Sequence, residues 1–279
     1  MQHSSFEKRP DIDSEVRQVR IAPVFPTRAQ AVEFPWSGLD ARRRLVHGFD
    51  SRNASSRSFN LIRSKLVALN RERGWRMLGV VSATPSVGKS FVSANLAAAM
   101  SRDPRFQTYL VDLDLRRGTI KEIFGIQTDR GLIEYFEQQQ SAETVQGFIP
   151  QGQELIVVPA VPGPVLSAEL LASHRATALF QAMRNSDSRN FFICDLPPAF
   201  ANDDASIIME ALDGYVIVAE DGKTTQREIE AAADLLGHDG LAGVVLNKYR
   251  GGLVSEGYGV EYRYASEYYA SRDSADAAD

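Results

Sequence analysis

The sequence predicts an α/β fold in which a parallel sheet is covered by helices on both faces. From residue 77 onward, short apolar runs alternate with stretches of helical periodicity. The runs are apolar at consecutive positions, so the strands that they form are expected to bury both faces. Strands of this kind that alternate with helices are typical of a parallel sheet between two helical layers.

The elements are predicted in order along the chain. A helix is predicted over about residues 56–73, because apolar residues recur every three or four positions and Gly74 follows as a stop signal. Strands are predicted at residues 77–82, 108–113, 155–158, 191–194, 215–219 and 244–246. Helices are predicted from the turn after the first strand through Met100, and at about 120–124, 132–138, 167–184, 203–210 and 225–236.

Composition divides the chain into three segments. Residues 1–54 are expected to be basic and poorly structured, because prolines and polar runs interrupt every periodicity there. Residues 55–250 carry the α/β pattern and are predicted to form one domain. Residues 251–279 are expected to be a flexible, tyrosine-rich tail that ends without an apolar run.

The charge of the chain is unevenly distributed. The net charge is −5, yet residues 1–76 hold 15 Lys and Arg against 8 Asp and Glu, which leaves the remainder strongly acidic. A basic arm could bind nucleic acid, an anionic membrane surface or an acidic partner, or it could be a solvated linker. The acidic remainder argues against a core that binds nucleic acid.

Composition also excludes several kinds of site. The single Cys excludes an intramolecular disulfide and a Cys-rich metal site, and the four His residues lie too far apart to predict a metal held by imidazoles. The chain lacks a run of 18 apolar residues and begins with many charged side chains in place of a signal peptide. A soluble, cytoplasmic protein is therefore expected.

Residues 80–90 have the sequence VVSATPSVGKS and lie between a predicted strand and a predicted helix. In that position a Gly-Lys-Ser turn is typical of a phosphate-binding loop, whose amides point at phosphate oxygens beside the positive end of the helix. Lys89 is expected to reach the β- and γ-phosphates, and the Ser90 hydroxyl to bind Mg²⁺. Ala83 replaces the first glycine, so the motif is a deviant Walker A sequence, and a chance Gly-Lys-Ser is the alternative.

Acidic residues follow two other predicted strands. Asp112 and Asp114 lie two residues apart at the end of one strand, and Asp195 follows another. Ligands bind at the carboxyl edge of an open parallel sheet, and alternate residues of an extended chain face the same way. Asp112 and Asp114 are therefore expected to face one site, where Asp195 would hold Mg²⁺ through water. An isolated Asp could instead cap a helix or form a turn.

Three segments together, ATPSVGKS at 83–90, DLDLRR at 112–117 and CDLPP at 194–198, resemble the Walker motifs of bacterial tyrosine kinases. These are the autokinases linked to capsular and exopolysaccharide synthesis. The resemblance covers about residues 56–269. It implies a P-loop NTPase-like fold and an enzyme that transfers the γ-phosphoryl group of ATP to tyrosine, with ATP and Mg²⁺ as cofactors.

The resemblance also implies roles for individual residues. Lys89, Asp112 and Asp114 would be catalytic, and Asp112 would orient or deprotonate the incoming phenol. Mg²⁺ would be held by Ser90, Asp112 and Asp195. The nucleotide would be bound by Pro85, Ser86, Val87, Gly88, Lys89, Ser90, Phe91 and Arg116.

Six of the nine tyrosines lie in residues 249–269. In the family, a C-terminal cluster of this kind is the autophosphorylated substrate. The alternative is that these aromatic side chains pack on the body of the protein, which Tyr249 fits best because it follows the last strand. The predicted autophosphorylation sites are Tyr258, Tyr262, Tyr264, Tyr268 and Tyr269.

The sequence departs from the family pattern at two places. Arg57, Asn60 and Arg63 stand where the family has Glu-x-x-Arg-x-x-Arg, a motif that joins subunits, so a homo-oligomer formed near residues 57–63 is expected from a motif that is only partly retained. Gly118 replaces the proline that follows the double arginine, which is expected to loosen the turn.

The family resemblance implies a separate transmembrane polysaccharide copolymerase or adaptor protein as the partner. The chain would be recruited to the inner face of the cell membrane, with residues 1–76 contributing to docking, and no nucleic-acid partner is expected. One alternative function is a nucleotide-binding regulatory module with weak or absent kinase activity. Another is a partition or cell-division switch ATPase like ParA or MinD, which usually has a lysine where Thr84 stands.

Overall fold

The computed structural model describes residues 25–137 and 145–249. Within them, eight strands form one sheet in the order β1-β4-β5-β3-β6-β2-β7-β8. The strands are β1 (Val32–Phe34), β2 (Met77–Val81), β3 (Gln107–Asp112), β4 (Phe148–Pro150), β5 (Leu155–Val158), β6 (Asn190–Asp195), β7 (Gly214–Glu220) and β8 (Leu241–Asn247). Neighbouring strands run parallel, except that β4 and β5 are antiparallel.

Helices connect the strands and cover both faces of the sheet. They are α1 (Gly38–Arg43), α2 (Arg57–Arg73), α3 (Lys89–Met100), α4 (Ile120–Phe124), α5 (Leu132–Glu137), α6 (Ser167–Leu171), α7 (His174–Asn185), α8 (Asp204–Met209) and α9 (Gln226–Leu236). No helix among the described residues is long and apolar enough to cross a membrane.

The core consists of two apolar layers, one on each side of the sheet. Side chains alternate across β2, so that Met77 and Val81 join one layer while Leu78 and Val80 join the other. Helices α5 to α9 pack on the first layer, and α2, α3 and α4 pack on the second. The central strands β2, β3 and β6 are buried almost throughout, which confirms the predicted parallel sheet between helical layers.

The expectation of little regular structure before residue 54 is wrong for residues 25–54. Strand β1 extends the sheet beside β4, and α1 begins with a capping box between Ser37 and Asp40. The buried side chain of Asn95 accepts hydrogen bonds from the backbone N–H groups of His47 (2.7 Å) and Gly48 (3.1 Å). This segment is therefore ordered by contacts with α3 that lie about 50 residues away in sequence, and local periodicity carries no sign of them.

The sheet topology brings the ends of three strands together. Asp112, the last residue of β3, pairs in register with Asp195, the last residue of β6, and Asp195 is also in register with Val80 near the end of β2. The loop from β2 to α3 begins at the same edge. The predicted convergence of these segments at the carboxyl edge of the sheet follows from the parallel register alone.

Candidate active site

The loop between β2 and α3 turns through two residues with positive φ, Ser86 (66°) and Gly88 (94°). Position 88 also requires glycine for a second reason, since a Cβ atom there would lie 2.2 Å from Nδ2 of Asn247. Helix α3 then begins at Lys89 and continues for 12 residues, so its first amides and the positive end of its dipole face the loop. The loop has the conformation that a phosphate-binding turn requires.

Two residues at the end of β8 donate hydrogen bonds to backbone carbonyls of this loop. Asn247 Nδ2 donates to the carbonyl of Val87 at 2.8 Å, and Lys248 Nζ donates to the carbonyl of Ser86 at 2.8 Å. Lys248 also contacts Glu220 Oε2 at 3.0 Å. Both residues belong to the stretch covered by the family resemblance, but neither was predicted to contact the loop. The signal was available, because they follow a strand at the same carboxyl edge as Asp195.

Lys89 lies between two carboxylates. Its Nζ is 2.9 Å from Asp114 Oδ2 and 3.5 Å from Asp195 Oδ2, and its side chain is only 12% exposed. Burial opposes the charge of Lys89, but Asp195 and Asp114 outweigh burial and raise the pKa of Lys89 above its ordinary value. The ammonium is thus held in its charged form between two carboxylates.

Asp195 is surrounded by hydroxyl donors from α3. Ser90 Oγ donates to Asp195 Oδ2 at 2.6 Å, and Ser93 Oγ donates to Asp195 Oδ1 at 2.9 Å. Burial raises the pKa of the Asp195 carboxyl, although Lys89 and the two serines favour its charged form. The Ser90–Asp195 contact brings together two of the three residues predicted to hold Mg²⁺. The third, Asp112, is hydrogen-bonded to backbone amides instead.

Asp112 lies behind the site instead of facing it. Its Oδ1 accepts from the N–H of Asp114 (3.3 Å), its Oδ2 accepts from the N–H of Ile120 (3.2 Å), and the side chain is fully buried. Burial, followed by the nearby Asp195, raises the pKa of Asp112 well above that of an ordinary aspartate. The expectation that Asp112 faces the cavity together with Asp114 therefore differs from the structure, because turn amides attract its carboxyl.

The absence of a side chain at Gly118 leaves room for the Asp112 carboxyl. A Cβ atom at position 118 would lie 2.6 Å from Asp112 Oδ2 and 2.8 Å from Ala160 Cβ. From the sequence alone, this glycine is expected to loosen the turn. The structure gives it a different role, since the missing side chain leaves the space that the Asp112 carboxyl occupies.

A cavity of about 550 Å³ opens beside the loop. Its lining includes most of the residues predicted to bind nucleotide, together with Asp114 and residues of the segment after Asp195. The predicted residues that line it are Pro85, Ser86, Gly88, Lys89, Ser90, Phe91 and Arg116. Val87 does not, because its side chain is buried in the core, and it contributes only backbone to the loop.

Arg116 is anchored at the cavity wall by residues from two helices. Its Nε donates to Ser167 Oγ at 2.6 Å and lies 3.7 Å from Asp204 Oδ2, and the Ser167 hydroxyl in turn donates to Asp204 Oδ2 at 2.6 Å. Asp204 is almost completely buried. This chain of contacts holds the Arg116 side chain in a defined direction while half of it remains exposed to the cavity.

The oxygen donors at this site suit one mode of metal binding. Within residues 25–137 and 145–249, no group of three or more His, Cys, Asp and Glu side chains is arranged to hold a metal. Mg²⁺ in nucleotide sites usually takes one or two protein oxygens and completes its shell with phosphates and water. The Ser90 hydroxyl and the Asp195 carboxylate are hard oxygen ligands that suit this mode of binding.

Some predicted features lie elsewhere. Tyr258, Tyr262, Tyr264, Tyr268 and Tyr269 fall outside the described residues. Tyr249 was the tyrosine that best fitted the alternative of packing on the body of the protein, and its side chain is 56% exposed. On α2, Asn60 accepts a hydrogen bond from Arg102, and Arg63 donates to the carbonyl of Ala99 at 3.4 Å.

Comparison with known proteins places this site in a family context. A model of the CobQ/CobB/MinD/ParA nucleotide binding domain matches residues 78–258. The tyrosine-protein kinase ptk of Acinetobacter johnsonii is 32% identical over 173 residues, which make up 61% of this chain and 23% of that protein. The tyrosine-protein kinase YwqD of Bacillus subtilis is 28% identical over 213 residues, or 75% of this chain and 88% of that protein.

A solved structure gives the same relationship. The kinase domain of the Escherichia coli tyrosine kinase ETK matches with a TM-score of 0.64 and 25% identity, over 77% of this chain and 88% of that domain. The chain therefore spans most of the Bacillus protein but less than a third of the Acinetobacter protein. These similarities confirm the resemblance drawn from the three motifs and the predicted P-loop NTPase-like fold.

Proposed function

The chain belongs to the CobQ/CobB/MinD/ParA nucleotide-binding family and is a homologue of bacterial tyrosine-protein kinases, and we propose that it is an ATP-dependent tyrosine autokinase. The proposal rests chiefly on one observation. Lys89, Asp114 and Asp195, which lie far apart in sequence, meet at the start of α3 beside a cavity. A cation, acidic groups and unpaired helix amides that lie side by side form a site for a nucleoside triphosphate and Mg²⁺.

The residues of the loop divide the work of binding. The amides of residues 86–90 and the Lys89 ammonium would hold the phosphates, while Ser90 and Asp195 would hold the metal. Mg-ATP, when bound, supplies the γ-phosphoryl group, and its Mg²⁺ offsets the negative charge that develops during transfer. Lys89 would exchange its contact with Asp114 for a phosphate oxygen, which frees the Asp114 carboxylate at the cavity surface.

Transfer forms a new bond from phosphorus to the phenol oxygen of tyrosine and breaks the bond to ADP, while the phenol proton leaves. We propose that Asp112 accepts this proton, as the family resemblance implies. Its raised pKa suits the task, because a general base works best with a pKa nearer the working pH. To reach the phenol, Asp112 must release the amide of Ile120.

The acceptors that we propose are the tail tyrosines Tyr258, Tyr262, Tyr264, Tyr268 and Tyr269. Any segment of about 20 residues that behaves as a random coil has an r.m.s. span of ~25 Å, enough to enter a neighbouring active site. We propose that a neighbouring copy of the chain supplies the tail. The α2 surface near residues 57–63 would contribute to that association.

The cellular setting is proposed from the family resemblance. The partner would be a transmembrane polysaccharide copolymerase or adaptor subunit that recruits the chain to the inner face of the membrane. The basic residues of segment 1–76 favour such docking to an acidic or anionic surface. Phosphorylation of the tail would then regulate the synthesis or export of capsule or exopolysaccharide.

A mixing experiment tests the proposed activity and its direction together. One full-length variant carries Lys89→Met and keeps its tail tyrosines; the other has all five tail tyrosines changed to Phe and keeps Lys89. With Mg-ATP, we expect phosphotyrosine on the Lys89→Met chain only when the two variants are mixed. ATP hydrolysis without any protein labelling, also in the wild-type chain, would instead support a switch ATPase. Nucleotide binding with neither outcome would support a regulatory module.

A further inference from the structure

One side of the cavity mouth carries two adjacent arginines with different surroundings. Arg116 and Arg117 are both exposed and both line the cavity. Arg116 is anchored to Ser167 and Asp204, as described above. Within residues 25–137 and 145–249, no carboxylate forms an ion pair with the Arg117 guanidinium. The Arg117 guanidinium at the cavity mouth is therefore available to bind a further anionic group.

The backbone of Arg117 is fixed relative to the centre of the site. Its N–H donates to Asp114 Oδ1 at 3.0 Å, and the other oxygen of Asp114 contacts the Lys89 ammonium at 2.9 Å. One aspartate thus links the mouth to the residue proposed to hold the γ-phosphate. Arg117 and Lys89 therefore line the same cavity and share one aspartate as a partner.

The tail sequence supplies anionic groups at a particular spacing from its tyrosines. Glu261 immediately precedes Tyr262, and Glu267 immediately precedes Tyr268. Neighbouring Cα atoms are 3.80 Å apart, so when a phenol enters the cavity the preceding side chain stays near the mouth. A glutamate at that position carries its charge into reach of an arginine, whose side chain is long and always charged.

We propose that Arg117 selects acceptor tyrosines that are immediately preceded by an acidic residue, which makes Tyr262 and Tyr268 the preferred acceptors of the tail. This inference rests on the proposed kinase function and adds the class of acceptor that the site takes. Tyr264, which follows Arg263, would be disfavoured because two cations would meet at the mouth.

The tail tyrosines serve as controls for one another, so the experiment measures the rate of phosphorylation at each tyrosine separately. After a short incubation of the full chain with Mg-ATP, mass spectrometry should find Tyr262 and Tyr268 labelled about two- to fivefold faster than Tyr264, the ratio expected for an exposed ion pair. In the variant Glu261→Gln, the rate at Tyr262 should fall by about the same factor. The rate at Tyr268 should stay unchanged, because Glu267 is retained.

Variants of Arg117 test the other half of the pair. Arg117→Glu should remove the preference for Tyr262 and Tyr268 and raise the share of label on Tyr264, while Arg117→Lys should keep the wild-type order. Unchanged site ratios in Arg117→Glu would overturn the inference and leave the kinase function standing. Equal losses at all sites with weaker nucleotide binding would also overturn it and would assign Arg117 to the nucleotide. No phosphotyrosine at any site of the wild-type chain would reject the proposed function itself, and this inference with it.

Discussion

The Ser90 hydroxyl donates a hydrogen bond of 2.6 Å to Oδ2 of Asp195, although the two residues are separated by 105 positions in sequence. Ser90 lies in the first turn of α3, and Asp195 ends β6. The contact exists because β2 and β6 are adjacent parallel strands whose carboxyl ends share one edge of the sheet. It joins the proposed phosphate loop to the proposed metal ligand.

Substitution of Ser90 should therefore weaken Mg²⁺-dependent nucleotide binding selectively. In Ser90→Ala, the affinity for Mg-ATP is expected to fall about tenfold, the effect of losing one charge-assisted contact. Titration with a fluorescent ATP analogue, with and without Mg²⁺, measures this effect.

Ser93→Ala is the matched control, because Ser93 also donates to Asp195 but is buried behind it. This variant should lose about 1 kcal/mol of unfolding free energy and little nucleotide affinity. Equal losses of affinity in both variants would contradict the assignment of Ser90 as the metal ligand.

The contact of Lys248 with the phosphate loop predicts an effect on nucleotide binding from outside the cavity. Lys248→Met removes the donor to the Ser86 carbonyl, and the KM for ATP is expected to rise about three- to tenfold, as for the net loss of one ordinary hydrogen bond. Lys248→Arg should recover part of the affinity. Steady-state kinetics at varied ATP concentration would give the KM.

Lys223→Met separates this effect from a general change of charge. Lys223 contacts the same Glu220 oxygen at 3.3 Å, but no contact joins it to the loop among the described residues. The KM for ATP should remain at the wild-type value in this variant. A rise equal to that of Lys248→Met would show that the Glu220 pairing matters and the loop contact does not.

The environment of Asp112 predicts how stability depends on pH. Burial, then Asp195, raises its pKa in the folded chain, so between the ordinary carboxyl range and that raised value the folded chain binds more protons than the unfolded chain. The contribution of Asp112 to the free energy of unfolding is therefore present at acidic pH and lost as the pH rises. The neighbouring charged groups are Asp195, Asp114 and Lys89.

Urea unfolding of the wild-type chain and of Asp112→Asn, at several values between about pH 4 and 8, isolates this contribution. The free energy of unfolding of the wild type, minus that of the variant, should decrease as the pH rises. Parallel profiles of the two proteins would mean that Asp112 titrates normally and is a poor candidate for the general base.

Gly118 predicts a steric effect on the same carboxyl. In Gly118→Ala, the added Cβ atom meets Asp112 Oδ2 and Ala160, so the free energy of unfolding should fall by about 1–3 kcal/mol. Phosphoryl transfer should change as well, because Asp112 must move. Gly38→Ala is the control, since a Cβ atom at Gly38 has no neighbour within 4 Å among the described residues and its stability should be nearly unchanged. Normal stability of Gly118→Ala would contradict the tight packing described here.

Much of the fold was predictable because local pattern and tertiary structure agree. The segment from β2 to α3 combines an apolar run, a Gly-Lys-Ser turn and a helical stretch, and all three signals are contained within about 25 residues. Strands β1 and β4 were missed because each has only three residues, and β4 ends in a proline. Their pairing depends on distant partners, which periodicity cannot report.

The same distinction applies to the site. The proximity of Lys89 and Asp195 was predictable, because the Gly-Lys-Ser turn follows one strand and Asp195 ends its parallel neighbour at the same sheet edge. The direction of the Asp112 side chain was not predictable, because it depends on the turn amide of Ile120 and on the space left by Gly118. The position of Asn247 and Lys248 at this sheet edge was predictable, but their hydrogen bonds to the loop were not, since these depend on how β8 ends beside it.

The most direct test of the account is transfer of the γ-phosphate of ATP to tyrosine in the purified full-length chain. With γ-labelled ATP and Mg²⁺, we predict alkali-stable label that maps to tyrosines in residues 251–279 and is lost in Lys89→Met. The exposed Lys65 offers a control, and Lys65→Met should retain the label. Label that persists in Lys89→Met, or a wild-type chain that binds Mg-ATP and never transfers phosphate to tyrosine, would contradict it.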